Sequence, residues 1–134
     1  MPPKLELVRA WLGKAVNDAI TGERALAGDP PIVDTACFHA QQTVEKALKA
    51  VLVFQEVDPP RTHLIGTLLD RCGPVHEQLT EMSDQLTWLT AFAVEARYPD
   101  VEEEPSVEQA REALSVARRA LEIIVQTLPR EVHP

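Results

Sequence analysis

Phe38-His39-Ala40-Gln41-Gln42-Thr43-Val44-Glu45-Lys46-Ala47-Leu48-Lys49-Ala50-Val51-Leu52 is the stretch that decides the fold. Its small and apolar residues, with Cys37 just before it, recur at steps of three and four: Cys37, Ala40, Val44, Ala47, Leu48, Val51 and Leu52. That spacing is one stripe of an α-helix. His39, Gln42, Lys46 and Lys49 follow steps of three, four and three, so they share a second stripe, with Gln41 and Glu45 beside it. Glu45 stands four residues before Lys49, the favourable order for a helical ion pair. The sequence therefore predicts a helix with one packing face and one face rich in directed hydrogen-bonding groups.

Outward from this helix the same period continues. Leu5, Val8, Leu12, Ala15 and Ala19 mark a first helix from about Lys4 to Ala27, which Gly28-Asp29-Pro30-Pro31 ends. Asp34 or Thr35 is the expected cap of the second helix, which runs to about Gln55. Pro59-Pro60 forces an extended turn. Thr62 is the expected cap of a short third helix carrying Ile65, Leu68 and Leu69, closed by Gly73-Pro74. Residues 75–82 read as a turn of helix or a loop. Asp84 is placed to cap a fourth helix with Leu86, Leu89, Ala93 and Trp88 inward, running up to Pro99. Ser106 and Gln109 form a capping box for a last helix whose inward stripe is Ala110, Ala113, Leu114, Ala117, Leu121, Ile124, Val125 and Leu128. No stretch reads as a strand. Residues 1–134 read as one all-α domain, an up-and-down bundle of about five helices. Alanine-rich faces on the second and last helices permit close helix approach, which motivates a homodimer.

Composition narrows the function classes. A chain of 134 residues with 45% hydrophobic content can bury one core. Its apolar runs are too short to span a bilayer, and the N-terminal residues lack the apolar core of a signal peptide, so a cytoplasmic location is expected. Cys37 and Cys72 have no metal-ligand spacing, and Cys37 falls on the apolar stripe. The net charge of −8 opposes bulk attraction to nucleic acid, so phosphate binding requires a local basic cleft. The acidic run from Asp100 to Glu104 lacks cation-ligand spacing and reads as a solvated loop. Neither metal nor cofactor is expected. No Gly-rich phosphate loop, metal-binding helix or nucleophile elbow is present.

Three blocks concentrate the polar chemistry. On the second helix, Lys46 and Lys49 can contact phosphate and Gln42 a base or sugar; alternatively Gln42 and Glu45 complete a buried polar network or a dimer interface while the lysines are solvated. Arg61-Thr62-His63 precedes a helix start, where backbone N–H groups favour anions; alternatively it is a plain cap. Arg97-Tyr98-Pro99-Asp100 joins a guanidinium, a phenol and a carboxylate, either as a ligand grip or as an internal lock.

These blocks, Phe38 to Leu52, then Pro59-Pro60-Arg61-Thr62-His63, then Ala96-Arg97-Tyr98-Pro99-Asp100, resemble those of the HEPN family in kind and order. HEPN domains are helical domains named for nucleotide binding in higher eukaryotes and prokaryotes. The resemblance covers nearly the whole chain and implies nucleotide-binding positions at Gln42, Lys46, Lys49, Arg61, His63, Arg97, Tyr98 and Asp100. It also implies a minimal nucleotidyltransferase as partner, as in bacterial two-component pairs that include toxin–antitoxin systems. The chain departs from the family at Leu64, where an acidic or small polar residue is common. Lys49, Arg61 and Arg97 are expected to form a local basic pocket, with Tyr98 available to stack on a base.

Nuclease members of the family carry an Arg followed four to six residues later by His, and two such motifs meet across a dimer to cleave RNA. Arg71 and His76 have a spacing of this kind. Gly73-Pro74 between them breaks the helix that would hold them in register, and the motif lies earlier than in the family. A non-nucleolytic binding module is therefore expected. The alternatives are a metal-independent endoribonuclease toxin and an interaction module without a ligand.

Overall fold

The computed structural model describes residues 1–93, 100 and 103–134, without the side chain of His76. These residues form helices α1 (Pro3–Ala27), α2 (Val33–Phe54), α3 (Ile65–Asp70), α4 (Pro74–Leu79), α5 (Ser83–Leu89) and α6 (Val107–Thr127), and no strand. Short 3₁₀ turns at Thr80–Met82 and Thr90–Phe92 follow α4 and α5 and make one broken helical segment from Pro74 to Phe92. The described residues thus form a bundle of five helical segments, as the periodicity requires.

Helices α1 and α2 form an antiparallel pair. Lys4 lies over the Phe54 ring, Trp11 faces Lys49, and Asp18 meets His39 and Lys46, so positions rise along α1 as they fall along α2. The helices come close at Gly22, where an added Cβ would sit 2.7 Å from Leu114 Cδ2, 3.1 Å from Ala36 O and 3.3 Å from His39 Cβ. Three helices meet there because that position has no side chain. Helix α6 packs against α2 and α1, and the bidentate pair of Arg118 with Glu23, at 2.8 and 2.7 Å, ties α6 to α1. That pair holds the Glu23 carboxyl below its ordinary pKa, chiefly through the hydrogen bond from Arg118.

Most helical stripes fall as the sequence predicts. Val8, Leu12, Ala15 and Ala19 of α1 are buried, as are Ala110, Ala113, Leu114, Ala117, Leu121, Ile124 and Leu128 at the C-terminal end. The Ser106 capping box is formed in both directions, at 3.0 and 2.9 Å. The alanines invoked for a dimer contact pack inside the protomer instead: Ala40, Ala47, Ala50, Ala113, Ala117 and Ala120 are fully buried where α2 meets α1 and α6.

The expected caps differ. Helix α2 begins at Val33, which places Asp34 and Thr35 in its first turn, and Ile32 occupies the cap. Helix α3 is capped by Leu64; Thr62 Oγ1 accepts from Leu64 N–H in the preceding turn, and the Ile65 N–H donates to Thr90 Oγ1 at 3.2 Å. A side chain 25 residues away thus replaces the local cap. Asp84 lies inside α5, whose flanking residue is Met82, and residues 75–82 are helical. Phe92 rather than Ala93 is buried after α5, because the 3₁₀ turn shifts the inward position.

Candidate functional site

The polar face of α2 turns onto α1 and onto the segment before α3. Its centre is Glu45, only 3% exposed. Glu45 Oε1 accepts from His63 Nδ1 at 2.8 Å and from Gln41 Nε2 at 3.1 Å, while Oε2 accepts from Lys49 Nζ at 3.0 Å. Burial alone would raise the carboxyl's pKa. The hydrogen bonds from Gln41, His63 and Lys49, with the Lys49 charge, outweigh it and hold Glu45 below its ordinary value. Gln41, fully buried, also donates to the His63 carbonyl at 3.2 Å and accepts from Gln42 Nε2 at 2.7 Å. His63 Nδ1 must carry a proton, since a carboxylate only accepts.

A second centre lies between α1 and α2, toward the N-terminal end of α2. Asp18, 7% exposed, accepts from His39 Nδ1 at 2.7 Å on Oδ1 and from Lys46 Nζ at 2.6 Å on Oδ2. Both lysines of α2 are therefore charge-paired inside the protomer. Neither has the free, solvated ammonium that one of the two sequence readings supposed.

Beside the Glu45 centre opens a cleft of about 590 Å³ between the N-terminal half of α1, the end of α2 and residues 56–61. Leu7, Trp11, Val53, Val57, Pro59 and Pro60 give it an apolar wall, and Lys49, Glu56, Asp58 and Arg61 line it with charge. Lys49 Nζ stands 5.7 Å from the Trp11 ring centroid, a cation–π contact. The cleft brings Lys49 and Arg61 together, as the resemblance implies, but sets two carboxylates beside them.

The other expected positions are not all gathered there. Gln42 and Lys46 belong to the polar network rather than the cleft lining, and His63 reaches Glu45. Asp100 is exposed in a turn, and Arg97 and Tyr98 lie outside the described residues. Arg71 is the exposed residue ending α3, whereas His76 lies on α4, with Gly73 at φ +58° and Pro74 opening the new helix between them. The two therefore stand on separate helices. Cys72 is buried, its Sγ donating to Leu68 O at 3.1 Å, and burial pushes its thiol up to about 12. Cys37 is buried as well. Among the described residues no cluster of three or more His, Cys, Asp or Glu could hold a metal, and no helix is long and apolar enough to cross a membrane.

Three residues of this region carry no mark in the three sequence blocks: Asp18, Trp11 and, as a centre rather than a helical ion-pair partner, Glu45. Asp18 had a detectable signal. It follows Ala15 by three and precedes Ala19 by one, an acid intruding on an apolar stripe.

Comparison with known proteins follows the same lines. The profile of the HEPN domain family matches residues 8–128. The crystal structure of ST0689, an archaeal HEPN homologue, is similar with a TM-score of 0.68 and 29% identity, over 90% of this chain and 96% of that one. The crystal structure of TT1696 from Thermus thermophilus is similar with a TM-score of 0.72 and 28% identity, over 90% and 98% of the two chains. No curated protein matches.

Proposed function

This chain belongs to the HEPN domain family, and from that premise we propose that it is a non-nucleolytic module that binds a protein partner. The partner is a minimal nucleotidyltransferase, in a two-component arrangement of the toxin–antitoxin kind, with the HEPN chain itself a homodimer. One observation carries the choice of a protein over a phosphate ligand. Lys46 and Lys49, the cations of α2 that would serve a phosphate, are each paired with a buried carboxylate of the same chain. A phosphate would have to compete with Asp18 and Glu45 for them. The separation of Arg71 and His76 onto two helices supports the absence of nuclease chemistry, which needs both groups on one reacting phosphate.

Co-expression with a small nucleotidyltransferase encoded beside this chain tests the reading. A complex that survives gel filtration, with a dimer mass for the HEPN chain alone by light scattering, is the expected result. Two separately eluting proteins overturn the pairing. RNA incubated with the pure chain is expected to stay intact; cleavage abolished by Arg71→Ala with His76→Ala would establish the endoribonuclease reading instead.

A second reading is favoured by the meeting of Lys49, Arg61 and the Trp11 ring at one cleft. It places a nucleotide there, phosphate on the two cations and base on the Trp11 ring. Calorimetric titration with a panel of nucleotides tests it. Micromolar binding that weakens with salt and is lost in Lys49→Ala and Arg61→Ala supports this reading over the first.

A further inference from the structure

Helix α2 ends in a Schellman turn. The Glu56 N–H donates to Val53 O at 3.0 Å, and the Val57 N–H reaches back to Leu52 O at 2.9 Å. Glu56 has φ +59°, the one positive φ among described non-glycine residues. Glycine adopts this left-handed conformation freely, whereas a residue with a Cβ is disfavoured there. The chain nevertheless carries a glutamate, and this residue lines the cleft together with Asp58.

The local charge has a sign. Lys49 is neutralised by Glu45, so the remaining charges on the lining are Glu56 and Asp58 against Arg61. Among the described residues neither Glu56 nor Asp58 has a cationic partner. The chain as a whole carries −8. Between these charges lies an apolar wall whose Leu7 is 50% exposed, unusual for a large aliphatic side chain in this protein.

Resting on the reading of the chain as a partner-binding module, we propose that this cleft is the docking point and that its occupant is an extended, basic segment of the partner protein. An apolar side chain of that segment lies on Leu7 and Trp11, and a neighbouring Lys or Arg is accepted by Glu56 and Asp58. Grooves lined by aromatic and proline side chains suit extended segments, whose backbone need not fit a helical diameter. The acidic surface steers a basic partner toward the cleft, and the two carboxylates select against an acidic one.

The test uses the full chain, isotope-labelled for NMR, and three short proline-flanked peptides identical except for a central Lys, Gln or Glu beside a leucine. Shift changes are expected on the Trp11 indole and residues 53–61, with the Lys peptide binding about tenfold tighter than the Gln peptide and the Glu peptide weakest. Salt should narrow the difference. Glu56→Gly should remove most of the preference for Lys while raising the stability of the fold, a combination that damage to the structure would not produce. Asp58→Asn should weaken the preference on its own. The proposal is overturned if the Glu peptide binds tightest, if no peptide binds, if the shifts fall elsewhere, or if both variants keep the preference. Binding of the Lys peptide without copurification of the nucleotidyltransferase supports the cleft and overturns the partner. Copurification without peptide binding does the reverse.

Discussion

His63 Nδ1 lies 2.8 Å from Glu45 Oε1, eighteen residues away in sequence, while Lys49 holds the other oxygen of the same carboxylate. One buried acid thereby fixes both a lysine that lines the cleft and the segment that carries Arg61, two residues before His63. Glu45→Ala leaves Lys49 and the His63 ring without their acceptor and Gln41 with only the His63 carbonyl, and should destabilise the chain by about 3 kcal/mol. Glu45→Gln keeps one acceptor oxygen and should lose less. Urea denaturation of the three proteins measures the order, and equal stability of all three would show that the network adds nothing to the fold.

The same carboxylate sets a pH dependence. Its pKa is lower in the folded chain than in the unfolded one, so the unfolded chain binds the proton more readily. The stabilisation is complete above the ordinary carboxylate range and is lost as pH falls through the folded pKa. Glu23, lowered by Arg118, adds a smaller contribution of the same sign, reduced by solvent screening. Thermal unfolding followed from pH 7 to pH 3 should show a decline that is shallower in Glu45→Gln. Parallel curves would assign the acid sensitivity to other groups.

Gly22 makes a strong steric prediction. Alanine is the better helix former by about 1 kcal/mol, so Gly22→Ala in an isolated helix would stabilise. In this bundle the new methyl meets Leu114, the Ala36 carbonyl and His39. The leucine end can move, but the carbonyl belongs to the α2 backbone. A net loss of about 1–3 kcal/mol is expected from the forced separation of α1 from α2. A gain in melting temperature would mean that the two helices slide apart without penalty.

Glu56→Gly should behave in the opposite way. The turn that ends α2 already has both its backbone hydrogen bonds, so glycine removes the left-handed penalty and leaves the geometry intact. Stability should rise by up to about 1 kcal/mol, offset in part by the greater freedom of glycine in the unfolded chain. Chemical denaturation reads this directly; a loss would indicate that the glutamate side chain makes a stabilising contact of its own.

Cys72 should be inert. A thiol held near 12 has almost no thiolate at neutral pH, and its sulfur is enclosed between α2 and α3. Iodoacetamide at pH 8 should leave the native chain unmodified over a period in which the urea-unfolded chain takes two labels. Rapid native labelling at this residue would reveal frequent opening of α3 from α2.

The sequence alone determined the long helices α1, α2 and α6, because their stripes depend only on a local period of three and four. It also fixed the Ser106 capping box, whose two hydrogen bonds span three residues, and the Glu45–Lys49 pair, which lies within one turn of one helix. The family was legible for a related reason: its three blocks are short, contiguous stretches of side chains. Tertiary structure alone decided which groups face one another. Asp18 meets His39 and Lys46 only in one antiparallel register of α1 against α2, and Ile65 takes its cap from Thr90 because α3 packs on the broken helix that follows. The same register turned Lys46 of α2 from a free cation into an internally paired one. A charge read from sequence has no partner until the chain is folded, and the partner determines whether that charge is available to a ligand.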